Sequence, residues 1–290
     1  MYGYTSKFNY EAVQAFLYRK RLQLIRPFFP NPQSFFRILK STNSVVSGSL
    51  ALAFMVPTES LGWFPNDMDL YTTKREVRAW TRYLDVCGYK PNKPSAVRPD
   101  GYPVHSEIQE IIYFENLISG RQVDLIISAT IATKPMFCYH STLVMNCFTG
   151  RGFFSAYPNL TTSLRGLMNP STLVAYNIPP SHVAKCLKKY VDRGFSLAER
   201  PSAWAEDHHH CGRSWRCPEH LRHTGDRGCL FMDFRDVTEN TEEEVTDTGT
   251  DDIHQAMLEH RRGVIWRLGG YSCDRRGLAR QPVLDVFDLA

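Results

Sequence analysis

Two aspartates stand one residue apart in the stretch PNDMDLYT, which otherwise has the apolar alternation of a β-strand. Side chains of a strand alternate between its two faces, so Asp67 and Asp69 are expected on one face, with Met68 and Leu70 on the other. Two carboxylates this close repel each other unless a cation offsets their charge. The pair therefore indicates either a metal site or a solvated acidic face of an edge strand.

A third carboxylate and a glycine-serine turn accompany this pair. Asp124 interrupts the apolar strand pattern RQVDLIIS, and Gly48 and Ser49 end the strand pattern SVVSGS where a helical pattern begins. Backbone N–H groups and a small hydroxyl at a helix start can bind a phosphate group. Three carboxylates from neighbouring strands supply the oxygen ligands that Mg²⁺ prefers.

The order of these motifs resembles that of the DNA-polymerase-β-like nucleotidyltransferase superfamily, in which Gly-Ser and a helix precede Asp-x-Asp and a third acidic residue on a later strand. The resemblance covers about residues 33–130, although the seventeen residues between Ser49 and Asp67 are more than the family usually has and imply an inserted loop. The matching residues are Gly48, Ser49, Asp67, Asp69 and Asp124. More narrowly, four segments are similar to uncharacterised fungal nucleotidyltransferase-like proteins: SGSLALAFM, NDMDLYTT, YHSTLVMN and CPEHLRHTGDRGCL.

The resemblance implies a reaction that depends on Mg²⁺ or Mn²⁺ and uses a nucleoside triphosphate. An acceptor hydroxyl would attack the α-phosphate and pyrophosphate would leave. Asp67 and Asp69 would hold both metal ions, and Asp124 would complete the site of the ion that activates the hydroxyl. Gly48 and Ser49 would cradle the β- and γ-phosphates.

The resemblance leaves the acceptor and the catalytic activity open. The acceptor could be an RNA end, a small molecule or a protein side chain. Alternatively, the chain is an inactive relative that binds nucleotide or a macromolecular partner through the same cleft, because one fold often carries both active and inactive members.

Positive charge follows in the helical pattern SHVAKCLKKYVDRGF. Lys185, Lys188 and Lys189 fall on about one face of the predicted helix, where they could meet a triphosphate or an RNA backbone. We expect Lys185 and Lys188 to contact the triphosphate or an RNA backbone, whereas the alternative is an ordinary solvated helix face.

Residues 204–229 are dense in cysteine and histidine. The candidate ligands of a structural zinc ion are Cys211, Cys217, His220 and Cys229. His223 is the main rival of His220. Five residues separate Cys211 from Cys217 where two to four are usual, so a His-rich exposed loop with incidental thiols is the alternative. A third hypothesis for the whole chain is a zinc-stabilised interaction module in which the acidic strand face is incidental.

Helices and strands must position these residues, and their sequence patterns predict an α/β (α+β) fold with a mixed β-sheet and flanking helices. With the resemblance, this fold is expected to contain a palm-like nucleotidyltransferase core. After about residue 136 the pattern MFCYHSTLVMNCFT also predicts a helix. The predicted units are an N-terminal helix in residues 1–32, the core in 33–160, a helical and Cys/His-rich region in 161–235, an acidic loop in 236–253 and a basic segment in 254–290. The acidic loop has no Lys or Arg, which is typical of disorder.

Composition restricts the class of protein. The chain has 290 residues, 43% of them hydrophobic, enough for one sizeable core and a smaller appended region. A net charge of +4 does not require a nucleic-acid partner. The sequence has neither a signal-peptide pattern nor a run of about eighteen apolar residues, and its eight cysteines do not form a disulfide-scaffold pattern. We therefore expect no membrane partner and an intracellular location, cytoplasmic or nuclear.

Overall fold

The computed structural model describes residues 7–57, 62–97, 108–172, 179–204, 210–234, 262–269 and 282–288. The predicted acidic loop, residues 236–253, lies outside them. The described residues form a mixed α/β fold in which several helices pack on a mixed central sheet. Of the helices in this part of the chain, none has the length and apolar character needed to cross a bilayer.

The helices are α1 (Lys7–Ile25), α2 (Pro32–Ser41), α3 (Gly48–Met55), α4 (Val77–Val86), α5 (Pro158–Thr162) and α6 (Ser181–Asp192). The strands of the first half are β1 (Val45–Ser47), β2 (Asp67–Thr73), β3 (Tyr89–Pro91), β4 (Ala96–Val97), β5 (Ile108–Asn116), β6 (Gln122–Ser128) and β7 (Asn146–Phe148). The later strands are β8 (Gly152–Ser155), β9 (Arg165–Leu167), β10 (Ser196–Ala198), β11 (Arg222–His223), β12 (Leu230–Asp233), β13 (Arg262–Arg267) and β14 (Val283–Asp288).

The central sheet has the order β12-β8-β7-β1-β2-β6-β5-β3, and β4 also pairs with β5. Strands β2 and β6 run parallel, and the other neighbours in this sheet are antiparallel. The strand patterns EIQEIIYFE and RQVDLIIS, separated by the turn residues Ser119 and Gly120, predict a hairpin, and strands β5 and β6 confirm it. Two small sheets accompany the central one, β9 with β10 and β11 with β13 and β14.

The two faces of β2 and β6 contact different cores. Met68 and Val123 belong to the core that helices α1, α2 and α4 cover, together with residues such as Trp80. Tyr71 and Ile126 belong to a second core on the opposite face. Because Asp67 and Asp69 alternate with Met68, they lie on the Tyr71 face, at the end where β2 begins.

The segment after residue 136 is not the predicted α-helix. It forms two short 3₁₀ turns, Lys134–Cys138 and Thr142–Val144, and then strand β7, which pairs with β1. Ser141 between the turns is extended and bridges Met168. Nearly all residues of this segment are buried, so the spacing of apolar residues had no period that could separate helix from strand.

Residues from the later part of the chain pair with or pack against earlier elements. Strand β12, from the segment predicted as a separate helical and Cys/His-rich region, pairs with β8 at the edge of the central sheet. The next residue, Phe234, packs edge-on against Phe54 of α3, with ring centroids 5.8 Å apart. From the basic C-terminal segment, Trp266 of β13 donates a hydrogen bond to the hydroxyl of Tyr157, at 3.0 Å.

Candidate active site

Asp67, Asp69 and Asp124 lie together on one face of the central sheet. Strands β2 and β6 are parallel and in register, and Asp69 is the direct Cα partner of Asp124. Asp67 points to the same face because it is two residues before Asp69. The structure thus brings together the three carboxylates that the sequence predicted for one site.

Contacts at the start of the two strands hold this register. Asn116 at the end of β5 accepts hydrogen bonds from the backbone N–H groups of Ile118 and Ser119, which shapes the turn into β6. Arg121, immediately before β6, donates a hydrogen bond to the carbonyl oxygen of Pro65, just before β2, at 2.9 Å. The parallel strands therefore begin level with each other, which places Asp69 opposite Asp124.

Gly48 sits directly against the Asp69 carboxylate. Strand β1 pairs antiparallel with β2 so that Ser47 is opposite Asp69, and α3 begins at the next residue. Gly48 has a φ of +69°, and a Cβ built on it would lie 1.8 Å from Oδ2 of Asp69. Only glycine fits this position, because any side chain would collide with the carboxylate and strain the backbone.

The hydroxyl groups on either side of Gly48 have different surroundings. Ser47 donates to the carbonyl oxygens of Val144 and Asn146, at 3.1 and 2.6 Å, and so fixes the end of β1. Ser49, in the first turn of α3, is buried, and its hydroxyl has no hydrogen-bond partner within the described ranges. A buried hydroxyl without a partner is costly unless a bound group completes its hydrogen bonding.

Burial and repulsion between carboxylates disfavour the charged forms of Asp69 and Asp124. Burial, followed by the charges of Asp67 and Asp124, holds the pKa of Asp69 well above its usual range, and nearby Lys189 partly offsets this. Burial raises the pKa of Asp124 to about 6, with an opposing effect of Lys93 and a further rise from Asp67. The three carboxylates thus form a concentrated negative site that a cation would stabilise.

Helix α6 supplies cationic and aromatic groups to the same place. Lys189 is partly buried, and its charge acts on Asp69. Burial and the charges of Asp69 and Asp67 raise the pKa of Tyr190. Arg193, one residue after α6, stacks on the ring of Trp63, with its guanidinium carbon 3.9 Å from the ring centroid. Burial lowers the pKa of Arg193, and the negative charge of Asp67 opposes this effect. Of these four residues, the sequence had indicated only Lys189, as one of three lysines on a helix face.

The lysines predicted to contact the triphosphate are placed differently. Lys185 and Lys188 are exposed, and Lys188 pairs with Asp192 at 2.7 Å on the outer side of the helix. The neighbouring residue, Lys189, is the one that acts on the Asp69 carboxylate. The helical pattern did predict a lysine face, but which lysine turns inward depends on how α6 packs.

Tyr139 and His140 complete the surroundings of the carboxylates. Burial and then Asp69 raise the pKa of Tyr139 far above its usual range. Burial, followed by the charge of Lys189, lowers the pKa of His140 to about 4, so its imidazole is neutral near pH 7. The His140 ring lies 5.4 Å from that of Tyr190.

A different pair stands on the Asp124 side. Tyr113 of β5 is the antiparallel partner of Asp124, and the ammonium group of Lys93 lies 3.5 Å from the centroid of the Tyr113 ring. Lys93 is exposed and Tyr113 is partly buried. This end of the site therefore offers a positive charge and an aromatic ring next to Asp124.

The cysteines of the predicted zinc site fall into two groups. The sulfur atoms of Cys211 and Cys217 are 3.9 Å apart, and Nδ1 of His220 is 2.7 Å from the carbonyl oxygen of Gly212. Cys229 instead packs against the ion pair of Arg222 and Asp226, and Arg222 donates a hydrogen bond to its sulfur at 3.3 Å. Burial raises the pKa of the Cys229 thiol. His223, the rival of His220, is exposed on β11.

Within the described part of the chain, no group of three or more His, Cys, Asp or Glu side chains is arranged to hold a metal ion as the side chains stand. Comparison of the chain with protein-family models, with curated proteins and with solved structures gave no match.

Proposed function

We propose that this chain is a nucleotidyltransferase with the palm-like core of the DNA-polymerase-β-like superfamily. It would transfer a nucleoside monophosphate from a nucleoside triphosphate to an acceptor hydroxyl and release pyrophosphate. The observation that carries the proposal is the pairing of Asp69 with Asp124, with Gly48 of the β1–α3 turn against the Asp69 carboxylate.

The donor atoms of the residues present fit a divalent cation, and cation binding would have to draw the three carboxylates together. Asp67, Asp69 and Asp124 offer hard oxygen donors, and their mutual repulsion is the electrostatic condition that Mg²⁺ or Mn²⁺ binding relieves. These three carboxylates would hold the metal. The chemistry that Mg²⁺ supplies at such a site is neutralisation of charge on the attacking and leaving oxygens.

The phosphate groups would lie between α3 and α6. The N–H groups at the start of α3 and the hydroxyl of Ser49 can donate to phosphate oxygens, and the absence of a side chain at Gly48 lets the Asp69 carboxylate lie next to them. Lys189 and Arg193 add positive charge from α6 and the residue that follows it. These groups would orient the α-phosphate and stabilise the leaving pyrophosphate.

Asp124 would take part in proton transfer from the acceptor. Its carboxylate lies beside Asp69 on the neighbouring strand, where it would accept the proton of the hydroxyl bound at the metal site. The hydroxyl oxygen then forms a bond to the α-phosphorus while the bond from that phosphorus to the bridging oxygen breaks. Lys93 and Tyr113 border the side from which the acceptor would approach.

The test is label transfer by the purified chain with Mg²⁺ or Mn²⁺. Each nucleoside triphosphate is supplied with label on the α- or, separately, on the γ-phosphate, together with total RNA, a small-molecule pool or a protein extract. The α-label should move to one acceptor class and the γ-label should not. D69N should abolish transfer, whereas D192N, at an exposed aspartate on α6, should leave it unchanged.

Two results would contradict the proposal. Binding of triphosphate without transfer to any acceptor would support an inactive, nucleotide-binding relative. Transfer that D69N and D124N leave intact would mean that these carboxylates are not the catalytic site.

A further inference from the structure

We propose that Cys211 and Cys217 provide two thiolate ligands of a zinc site and that His220 provides a third ligand through Nε2. This set omits Cys229, which the sequence alone had included. It is independent of the nucleotidyltransferase proposal, because none of these residues belongs to the carboxylate site.

The spacing of the sulfur atoms is the first argument. Zinc–sulfur bonds of about 2.3 Å in a tetrahedral site place two thiolates of one ion about 3.8 Å apart. The sulfur atoms of Cys211 and Cys217 are 3.9 Å apart. Neither cysteine is in a disulfide, and this separation is far too long for one.

The backbone between these cysteines is the second argument. The N–H group of Gly212 donates a hydrogen bond to the sulfur of Cys217, at 3.1 Å. A donor outside the ligand set that contacts a ligand atom in this way orients that ligand. Gly212 has a φ of +74°, a conformation that glycine adopts without a steric cost.

The orientation of His220 is the third argument. A histidine that ligates a metal through one nitrogen usually donates the other N–H to a carboxylate or a backbone carbonyl. Nδ1 of His220 lies 2.7 Å from the carbonyl oxygen of Gly212, the residue after Cys211. This contact fixes the tautomer with Nε2 as the ligand and holds the ring beside the loop that carries the thiols. In the described residues the three side chains do not yet surround one point, so metal binding must draw them together.

Cys229 is excluded by its own contacts. Its thiol accepts a hydrogen bond from buried Arg222 and lies beside Asp226, in a pocket where a zinc ion would sit against a guanidinium. Arg222 also donates to the carbonyl oxygen of Trp215, within the loop between the two ligand cysteines, at 2.7 Å. A zinc ion bound to Cys211 and Cys217 would therefore stabilise residues 211–217, the same loop that the hydrogen bond from Arg222 holds at Trp215.

Metal analysis of the full chain, purified under reducing conditions, tests the site. One equivalent of zinc is expected, with loss of most zinc in C211S and C217S and weaker binding in H220Q. C229S serves as the matched control and should keep its zinc. With Co²⁺ in place of zinc, thiolate-to-metal absorption should appear in the wild type and in C229S, which separates thiolate ligation from adventitious binding by histidines.

A second measurement does not depend on variants that might misfold. In the zinc-loaded wild type, Cys211 and Cys217 should resist alkylation and become reactive after chelation, while the reactivity of Cys229 should not follow the metal. Three results would overturn the proposal: zinc lost in C229S but kept in C211S, no zinc and no cobalt–thiolate absorption, or a Cys211–Cys217 disulfide in a zinc-free protein.

Discussion

Asp69 and Asp124 are direct partners across the parallel strands β2 and β6, and burial disfavours the charged form of both. A fold gains no stability from such a pair without a cation. Buried acids that repel each other are typical of sites at which function, not stability, selects the residues.

D124N should therefore stabilise the metal-free protein near pH 7.5, by about 1–3 kcal/mol in the free energy of unfolding. Asp124 has a pKa of about 6 in the folded chain, against an ordinary value of about 4 when unfolded. Between these values the folded state binds more protons, so the stability of the wild type falls as pH rises through this window. The advantage of D124N should shrink as pH falls from about 6 to about 4. Denaturant unfolding of D124N and the wild type, with chelator present and at several pH values, measures this difference in the free energy of unfolding.

D192N is the control for this measurement. Asp192 is exposed in its ion pair with Lys188, so its removal should change stability by less than about 0.5 kcal/mol at all these pH values. If D124N destabilised the protein at pH 7.5, the assigned repulsion would be wrong.

G48A should abolish nucleotide transfer, because its new methyl group would collide with Oδ2 of Asp69. Gly120 gives a matched control: its φ of +66° is nearly the same, but a Cβ there meets nothing within 4 Å. Both variants incur a backbone strain of about 1 kcal/mol, and only G48A displaces the carboxylate. Measuring the transfer rate and the melting temperature of both variants distinguishes the effect of backbone strain from that of the collision. Equal activity in both variants would contradict the role of Gly48.

K189A should weaken triphosphate binding by about tenfold or more, because it removes a charge-assisted contact near Asp69. K188A removes the same charge from the neighbouring position, where the lysine is exposed and pairs with Asp192, and should leave the affinity within about twofold. Equilibrium binding of a non-hydrolysable triphosphate measures both. A larger effect of K188A than of K189A would support the prediction from sequence that Lys188 contacts the triphosphate.

R222M should destabilise the chain by about 3–5 kcal/mol, because it leaves Asp226 buried without its partner. The Arg222 guanidinium also donates to the carbonyl oxygen of Ala156 and lies 5.1 Å from the centroid of the Trp266 ring. R227M, at an exposed arginine of the same loop, should be nearly neutral. Denaturant unfolding compares them, and equal midpoints would show that the buried pair contributes little.

The sequence was sufficient to predict the elements whose signals are local. The Gly48 turn into α3, the acidic strand β2, the hairpin of β5 and β6 and helix α6 all follow from apolar period or turn residues, and the structure contains each of them. The shared face of Asp67 and Asp69 followed from strand alternation alone.

The remaining features depend on tertiary packing. The spacing of the lysines on α6 cannot decide that Lys189 turns toward the carboxylates, since that depends on the roll of the helix against the sheet. The cysteine spacing could not separate Cys229 from Cys211 and Cys217, because the contact of Cys229 with Arg222 forms only after the loop folds. The helix prediction for residues 136–149 was wrong because nearly all of these residues are buried. Their apolar residues therefore show no helical or strand period from which a prediction could be made.

Strand β12 has a consequence for how the protein is made. The last strand at one edge of the central sheet is residues 230–233, so β8 lacks its neighbour until that part of the chain has left the ribosome. A nascent chain that ends soon after residue 160 exposes the edge of β8 and leaves Phe54 without the ring of Phe234. During synthesis this exposed edge is a target for chaperones and for mispairing with other chains.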